Sequence, residues 1–157
     1  MDFEEIYKTY WQKVYRLCMG YVNHTDQAKD LAQETFVKVW RQLPNFRGES
    51  AIGTWIFRIT TNTCLRQIQK EKRMPKSELP PHMKLETSEV TIENHIQFLH
   101  QCISELKEID RIIISLELED IDQKEIAKIV GISEGNVRVK IHRIKEKLTK
   151  KFKENGY

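Results

Sequence analysis

Apolar residues recur at helical spacing along two stretches of this chain, separated by a polar stretch in which the periodicity disappears. Phe3, Ile6, Tyr7, Tyr10, Val14, Leu17 and Tyr21 fall three and four apart, which puts them on one face of a first helix. A second helix over residues 26–42 carries an almost unbroken stripe at Ala28, Leu31, Ala32, Thr35, Phe36, Val39 and Trp40, continued at Leu43. Ile52, Trp55, Ile56, Ile59 and Thr63 mark the inner face of a third, with Trp55 counted as core. Phe57 lies off that stripe, in position to pack against Phe3 or Tyr10 of the first helix. Pro44 and residues 45–49 interrupt the pattern with a short polar loop containing Arg47 and Gly48. Further along, helices are predicted near residues 96–106 and over residues 108–118.

Residues 122–148 then read as a helix-turn-helix. Asp122 stands as an N-cap with Glu125 three positions on, the spacing of a capping box, and Ile126, Ala127 and Val130 form an apolar face. Gly131 ends this helix, Ile132 fills the turn, and Ser133 is placed to cap the next helix through its hydroxyl. Val137, Ile141, Ile144 and Leu148 repeat at i, i+4, i+7 and i+11, which leaves Asn136, Arg138, Lys140, His142 and Arg143 off the stripe and free to enter a major groove. A charged outer face is commonly only a solvated one, so the distribution of charge has to decide. Residues 134–157 hold eight Lys or Arg against three Glu, whereas residues 102–125 hold three against eight acidic residues. Positive charge concentrated on one helix favours DNA, with phosphate contacts supplying affinity and base-edge contacts supplying specificity.

Between the two stretches, residues 74–94 hold three of the four prolines and little apolar periodicity. Proline cannot sit inside a helix, and the polar remainder offers no core, so this segment reads as a flexible linker. The expected organisation is all-α, with one small helical domain over residues 1–73, a linker over 74–94 and a second helical domain over 95–157. Such a linker predicts loose coupling of the two domains in the free chain.

Composition narrows the function classes. A net charge of +3 is too small by itself to imply a nucleic-acid partner, so the argument stays with local charge. No apolar run is long enough to span a bilayer, and the acidic start MDFEE is unlike a signal peptide, which predicts a cytoplasmic protein with no membrane insertion. Cys18, Cys64 and Cys102 lack any C-x-x-C pairing or nearby His ligands and read as reduced thiols rather than a metal site. The five histidines do not cluster with a nucleophile in sequence, and no phosphate-binding glycine loop is present. The expectation is a protein that is not an enzyme and carries no cofactor or metal.

The run from Asp30 through Leu31, Ala32, Gln33, Glu34, Thr35, Phe36, Val37, Lys38, Val39 and Trp40 to Arg41, then Phe46-Arg-Gly-Glu49, then residues 54–62 (TWIFRITTN), closely resembles region 2 of bacterial sigma factors of the extracytoplasmic-function (ECF) group. The helix-turn-helix, with residues 106–118 before it, resembles their region 4. The resemblance covers nearly the whole chain, in order, and implies a promoter-specificity subunit of RNA polymerase acting in a stress or envelope response. It implies that Asp30, Leu31, Gln33, Glu34, Lys38 and Arg41 dock on core RNA polymerase. It implies that Asn45, Arg47, Gly48, Ser50, Arg58, Asn62, Arg66, Lys70 and Arg73 meet minus-10 promoter DNA, where single-stranded DNA needs a basic track and groups that reach bases. Ser133, Asn136, Arg138, Lys140, His142 and Arg143 are implied as minus-35 contacts. An anti-sigma factor is an implied partner. Arg66 and Gln67 stand where many relatives have an acidic or small polar residue, so no minus-10 preference is carried over. The stretch 117–122 (ELEDID) replaces the Gly-containing turn common before the reader's first helix. The competing reading is a self-sufficient helix-turn-helix regulator with a helical effector domain; such proteins bind palindromes as dimers, whereas this chain has two unlike basic surfaces.

Overall fold

The computed structural model of the chain describes residues 2–73 and 92–157, which form seven α-helices and one short 3-10 turn, with no strand among the described residues. In order these are α1 (Phe3–Val22), α2 (Thr25–Gln42), the 3-10 turn (Leu43–Asn45), α3 (Ile52–Arg73), α4 (Ile92–Ser104), α5 (Glu108–Leu118), α6 (Gln123–Val130) and α7 (Glu134–Glu154). The ends follow local chemistry. Asp2 and Glu5 complete a reciprocal capping box at the start of α1, at 2.9 and 3.1 Å, an arrangement worth about 1 kcal/mol. His24 caps α2 by accepting from Gln27 N–H through Nδ1, Ser133 caps α7 through Asn136 N–H at 3.2 Å, and Gly131 closes α6 at φ +81°. The residue in the left-handed region before α6 is Asp120, at φ 58°, in the stretch that lacks the family's glycine. Asp tolerates that conformation better than most side chains.

The N-terminal half packs α1, α2 and α3 around Ile6, Val14, Leu17, Tyr21, Ala28, Phe36, Val39, Ile56 and Cys64. The C-terminal half packs α4 to α7 around Ile103, Ile112, Ile113, Leu116, Ile126, Val137, Ile141 and Ile144. Phe57 is buried against Tyr10, edge to face at 5.9 Å. Trp55 is half-buried and packs against the core, and its ring, 4.8 Å from Phe46, also ties the polar loop to α3.

Three expectations need correction. The two halves are not loosely coupled: α1 packs on α4 and α5, α3 packs on α6, and one continuous cluster of buried side chains runs through both. The linker ends earlier than predicted, because Ile92, Glu93 and Asn94 are the first residues of α4; residues 74–91, where its flexibility was expected, lie outside the described residues. Trp40 is not on the inner stripe but 62 % exposed, since Val39 takes the inward position and the next residue is turned about 100° around the axis.

Candidate functional site

Three polar surfaces gather the candidate residues. The first is the outer face of α2, where Asp30, Gln33, Glu34 and Arg41 are exposed. Leu31 is not part of it: at 3 % exposure it belongs to the core and sets the rotation of the helix. Lys38 is half-buried and turned towards α3, with Nζ 3.2 Å from the Glu34 carboxylate and 3.1 Å from Thr63 Oγ. Beside this face lies an apolar groove of about 360 Å³ between α1 and α2, lined by Phe3, Tyr7, Gln33, Phe36, Val37 and Trp40. Sequence reasoning missed it, because an inward-facing and an outward-facing aromatic look alike in a stripe as wide as that of α2. An apolar groove beside acidic groups suits an amphipathic helical partner with basic flanks.

The second surface runs from the polar loop along α3. Asn45 sits in the 3-10 turn started by Pro44; Arg47 and Gly48 are exposed, Gly48 at φ +72°, and Ser50 is half-buried. On α3, Arg58, Asn62, Arg66, Lys70 and Arg73 are all exposed at successive spacings of four, four, four and three, forming one track about 22 Å long at 1.5 Å per residue. Glu71 accepts from Gln27 and Gln67 beside it. At the near end of the track, the Arg58 guanidinium donates to the Lys128 carbonyl of α6 at 3.2 Å.

The third surface is α7. Arg138, His142 and Arg143 are exposed, Asn136 lies in the first turn, and Ser133 is occupied as the cap. His142 Nε2 lies 3.2 Å from the Glu146 carboxylate. Lys140 departs from expectation. It is half-buried and leans on α5, with Nζ 3.7 Å from Asp110, because its position borders the buried stripe. The capping box predicted at α6 is also only half made. Asp122 caps through Lys124 N–H, but the Glu125 carboxylate accepts from Thr54 Oγ of α3 and from Lys128 Nζ, and the Thr54 bond first among these holds its pKa below the usual carboxylate value.

Among the described residues no group of three or more His, Cys, Asp or Glu side chains is arranged to hold a metal, and no helix is long and apolar enough to cross a membrane. Cys18 and Cys64 are buried with Sγ atoms 3.7 Å apart, and burial pushes the Cys64 and Cys102 thiols up.

The sequence profile of Sigma-70 region 2 matches residues 6–74, and that of Sigma-70, region 4 matches residues 99–148. The chain belongs to the ECF group of the sigma-70 family. The sigma factor is 29 % identical to RNA polymerase sigma factor YlaC of Bacillus subtilis, over 95 % of its own length and 91 % of the relative's. It is 32 % identical to the ECF RNA polymerase sigma-E factor of Haemophilus influenzae, over 96 % and 87 % of the two chains. Its fold is similar to the sigma factor RpoE in a complex with the anti-sigma factor NepR from Bartonella quintana, with a TM-score of 0.77, 20 % identity and 97 % of each chain covered. It is also similar to CnrH in complex with the cytosolic domain of CnrY, at a TM-score of 0.71 and 18 % identity, covering 98 % of this chain and 89 % of that one. Sigma factors are regulatory proteins rather than enzymes. Matches to two different sigma regions in order disfavour the reading as a self-sufficient regulator.

Proposed function

We propose that the sigma factor binds core RNA polymerase through α2, meets the minus-10 strand along the loop and α3, and meets minus-35 DNA with α7. The observation that carries this division of labour is the α3 track, where four cations and an amide are aligned and exposed beside a loop pinned by Phe46 on Trp55. That arrangement supplies the electrostatics and donors that an unpaired strand needs. Asp30, Gln33 and Glu34, with the Trp40 groove beside them, form the polymerase face; Arg138, Arg143 and Asn136 are the leading base or phosphate contacts of α7. Residues 1–73 then act as the polymerase and minus-10 unit and residues 92–157 as the minus-35 unit, with the connection between them ending before α4. An anti-sigma factor is a fitting restraining partner, since RpoE and CnrH, whose folds are similar, were each seen with a partner chain. The site of action is the cytoplasm, where promoter DNA is.

The direct test adds the purified chain to core RNA polymerase on a template carrying the DNA upstream of its own gene. A discrete transcript that requires the chain is the expected result. A folded chain that neither comigrates with core polymerase nor yields that transcript would reject the reading.

A further inference from the structure

The seam between the two halves is closed by tight contacts. Arg16 of α1 donates, at 2.6 and 2.8 Å, to both carboxylate oxygens of Glu119, the C-cap of α5, and Gly20 lies so close to Ser115 that no side chain fits between them. The outer face of α7 is differently placed. This helix packs on α4, α5 and α6 through Val137, Ile141, Ile144 and Leu148, and it leaves Asn136, Arg138, His142 and Arg143 exposed. In the middle of those polar groups stands Val139, 47 % exposed and the one large apolar side chain that α7 gives to solvent. Its direction follows from the helix period. Val139 comes two residues after Val137 and two before Ile141, both buried, so at about 100° per residue it lies about 160° around the axis from each. It is the centre of the outer face. Val139 joins neither the buried cluster nor the side chains packed against it, and a β-branched residue forms helix less readily than the Lys, Arg and Glu common along the rest of α7. Gly135, one turn earlier, adds no side chain that would hold the helix away from a ligand.

We propose that Val139 reads the 5-methyl group of a thymine in the minus-35 element, and so fixes one position of the preferred promoter by apolar contact rather than by hydrogen bonding. The proposal rests on the reading that α7 enters the minus-35 major groove. Val139 falls within the first two turns of α7, the part of a recognition helix that reaches base edges. Base edges there are lined with donors and acceptors, and a valine pressed on one of them would take away its water and return no hydrogen bond. Thymine is the exception. Its C5-methyl is the one apolar group that the four bases present in that groove. Arg138 and Arg143 on either side supply the charge that holds the helix to DNA, which leaves the centre of the face free to select by shape. A protein partner fits this position less well, because a single valine ringed by Asn136, Arg138, His142 and Arg143 is far smaller than the apolar patches that protein interfaces use.

The test uses holoenzyme assembled from core RNA polymerase and the full-length chain, on the DNA upstream of its own gene. Duplexes bound from a pool randomised across the minus-35 element should show one position, on either strand, where wild type prefers thymine and Val139→Ala does not. The other positions should keep their preferences. Alanine is the better helix former and the site is exposed, so the variant should fold, which circular dichroism checks. Deoxyuridine then replaces thymidine at that position in a defined duplex, which keeps the base pair and removes only the methyl group. Wild-type holoenzyme should bind the deoxyuridine duplex about fourfold more weakly, the worth of one buried methyl group, whereas Val139→Ala should separate the two duplexes by less than about twofold. A pool with no thymine preference that the variant relaxes, or a methyl effect of equal size in both proteins, would overturn the assignment. Failure of the underlying reading looks different: binding would then be indifferent to every minus-35 base and to Arg138→Ala combined with Arg143→Ala.

Discussion

Helices α3 and α7 are 22 and 21 residues long and both carry a basic outer edge, yet the free chain uses those edges differently. On α7 the cations divide by direction. Lys140, Lys145 and Lys151 lean inward on Asp110, Glu117 and Glu105 and hold the helix on α4 and α5, whereas Arg138 and Arg143 point to solvent. On α3 the division is by distance: Arg58 and Lys72 reach across to Lys128 and Glu108 of the other half, and Asn62, Arg66 and Lys70 remain exposed. Charge placed on a helix is therefore not the same as charge available to a ligand. Which cations are available depends on which acidic groups and carbonyls the fold brings near.

The comparison disappears altogether if neither helix is delivered to DNA, and the polymerase face should do that. Asp30→Arg with Glu34→Arg should fold, as judged by circular dichroism, but lose capture of core polymerase in a pull-down, and with it all promoter-specific transcription. Unchanged capture by the folded variant would remove α2 from the docking assignment. A smaller effect is expected at Arg138. If it makes a bidentate contact to guanine, Arg138→Ala in holoenzyme should cost about 1–3 kcal/mol and relax one position of the preferred sequence, measured over a base-substituted promoter series. Lys145→Ala should separate the structural cations from the reading ones. It removes an exposed ion pair with Glu117, so it should lower stability by at most about 1 kcal/mol and leave sequence preference intact.

The helices were legible because periodicity is a local signal, and so were Gly131 and Ser133, whose conformations depend on their immediate neighbours. What was not legible lay between distant segments. Glu125 has a capping box's spacing, yet Thr54, 71 positions away, takes its carboxylate. Lys140 counts as outward by spacing, yet Asp110 draws it in. Nothing in the sequence marks Gly20 and Ser115 as a meeting point, because a glycine and a serine carry no apolar pattern, and the closing of the two halves was accordingly missed. The α2 groove failed for a different reason: Trp40 has the composition of a core residue, and only geometry shows it facing solvent.

The smallest predicted effect is on acid stability, and it sharpens where the two halves join. His100 lines a small cavity with Arg16, Ser115 and Glu119, and burial holds its pKa below the ordinary 6.5. The folded chain keeps it neutral while the unfolded chain takes up a proton near 6.5, so stability falls as pH drops below that value until the folded group titrates. Glu125, depressed chiefly by the Thr54 bond, contributes stability above 4.5 that is lost as pH falls through its lowered folded value. Melting temperatures across this range should show the first decline flattened by His100→Gln and the second by Thr54→Val; a wild-type profile that is level below pH 6.5 would contradict the first, and one that stays level as pH falls below 4.5 would contradict the second.

The bond from Arg16 to Glu119 has a consequence for ionic strength. Added salt screens that partly exposed pair and so favours separation of the halves, while the same ions compete with the phosphate contacts that separation would permit. The two effects oppose each other in the free chain. Plotted logarithmically, DNA affinity should therefore fall less steeply with salt for the free sigma factor than the number of its phosphate contacts implies, and the missing slope reports how much that ion pair contributes.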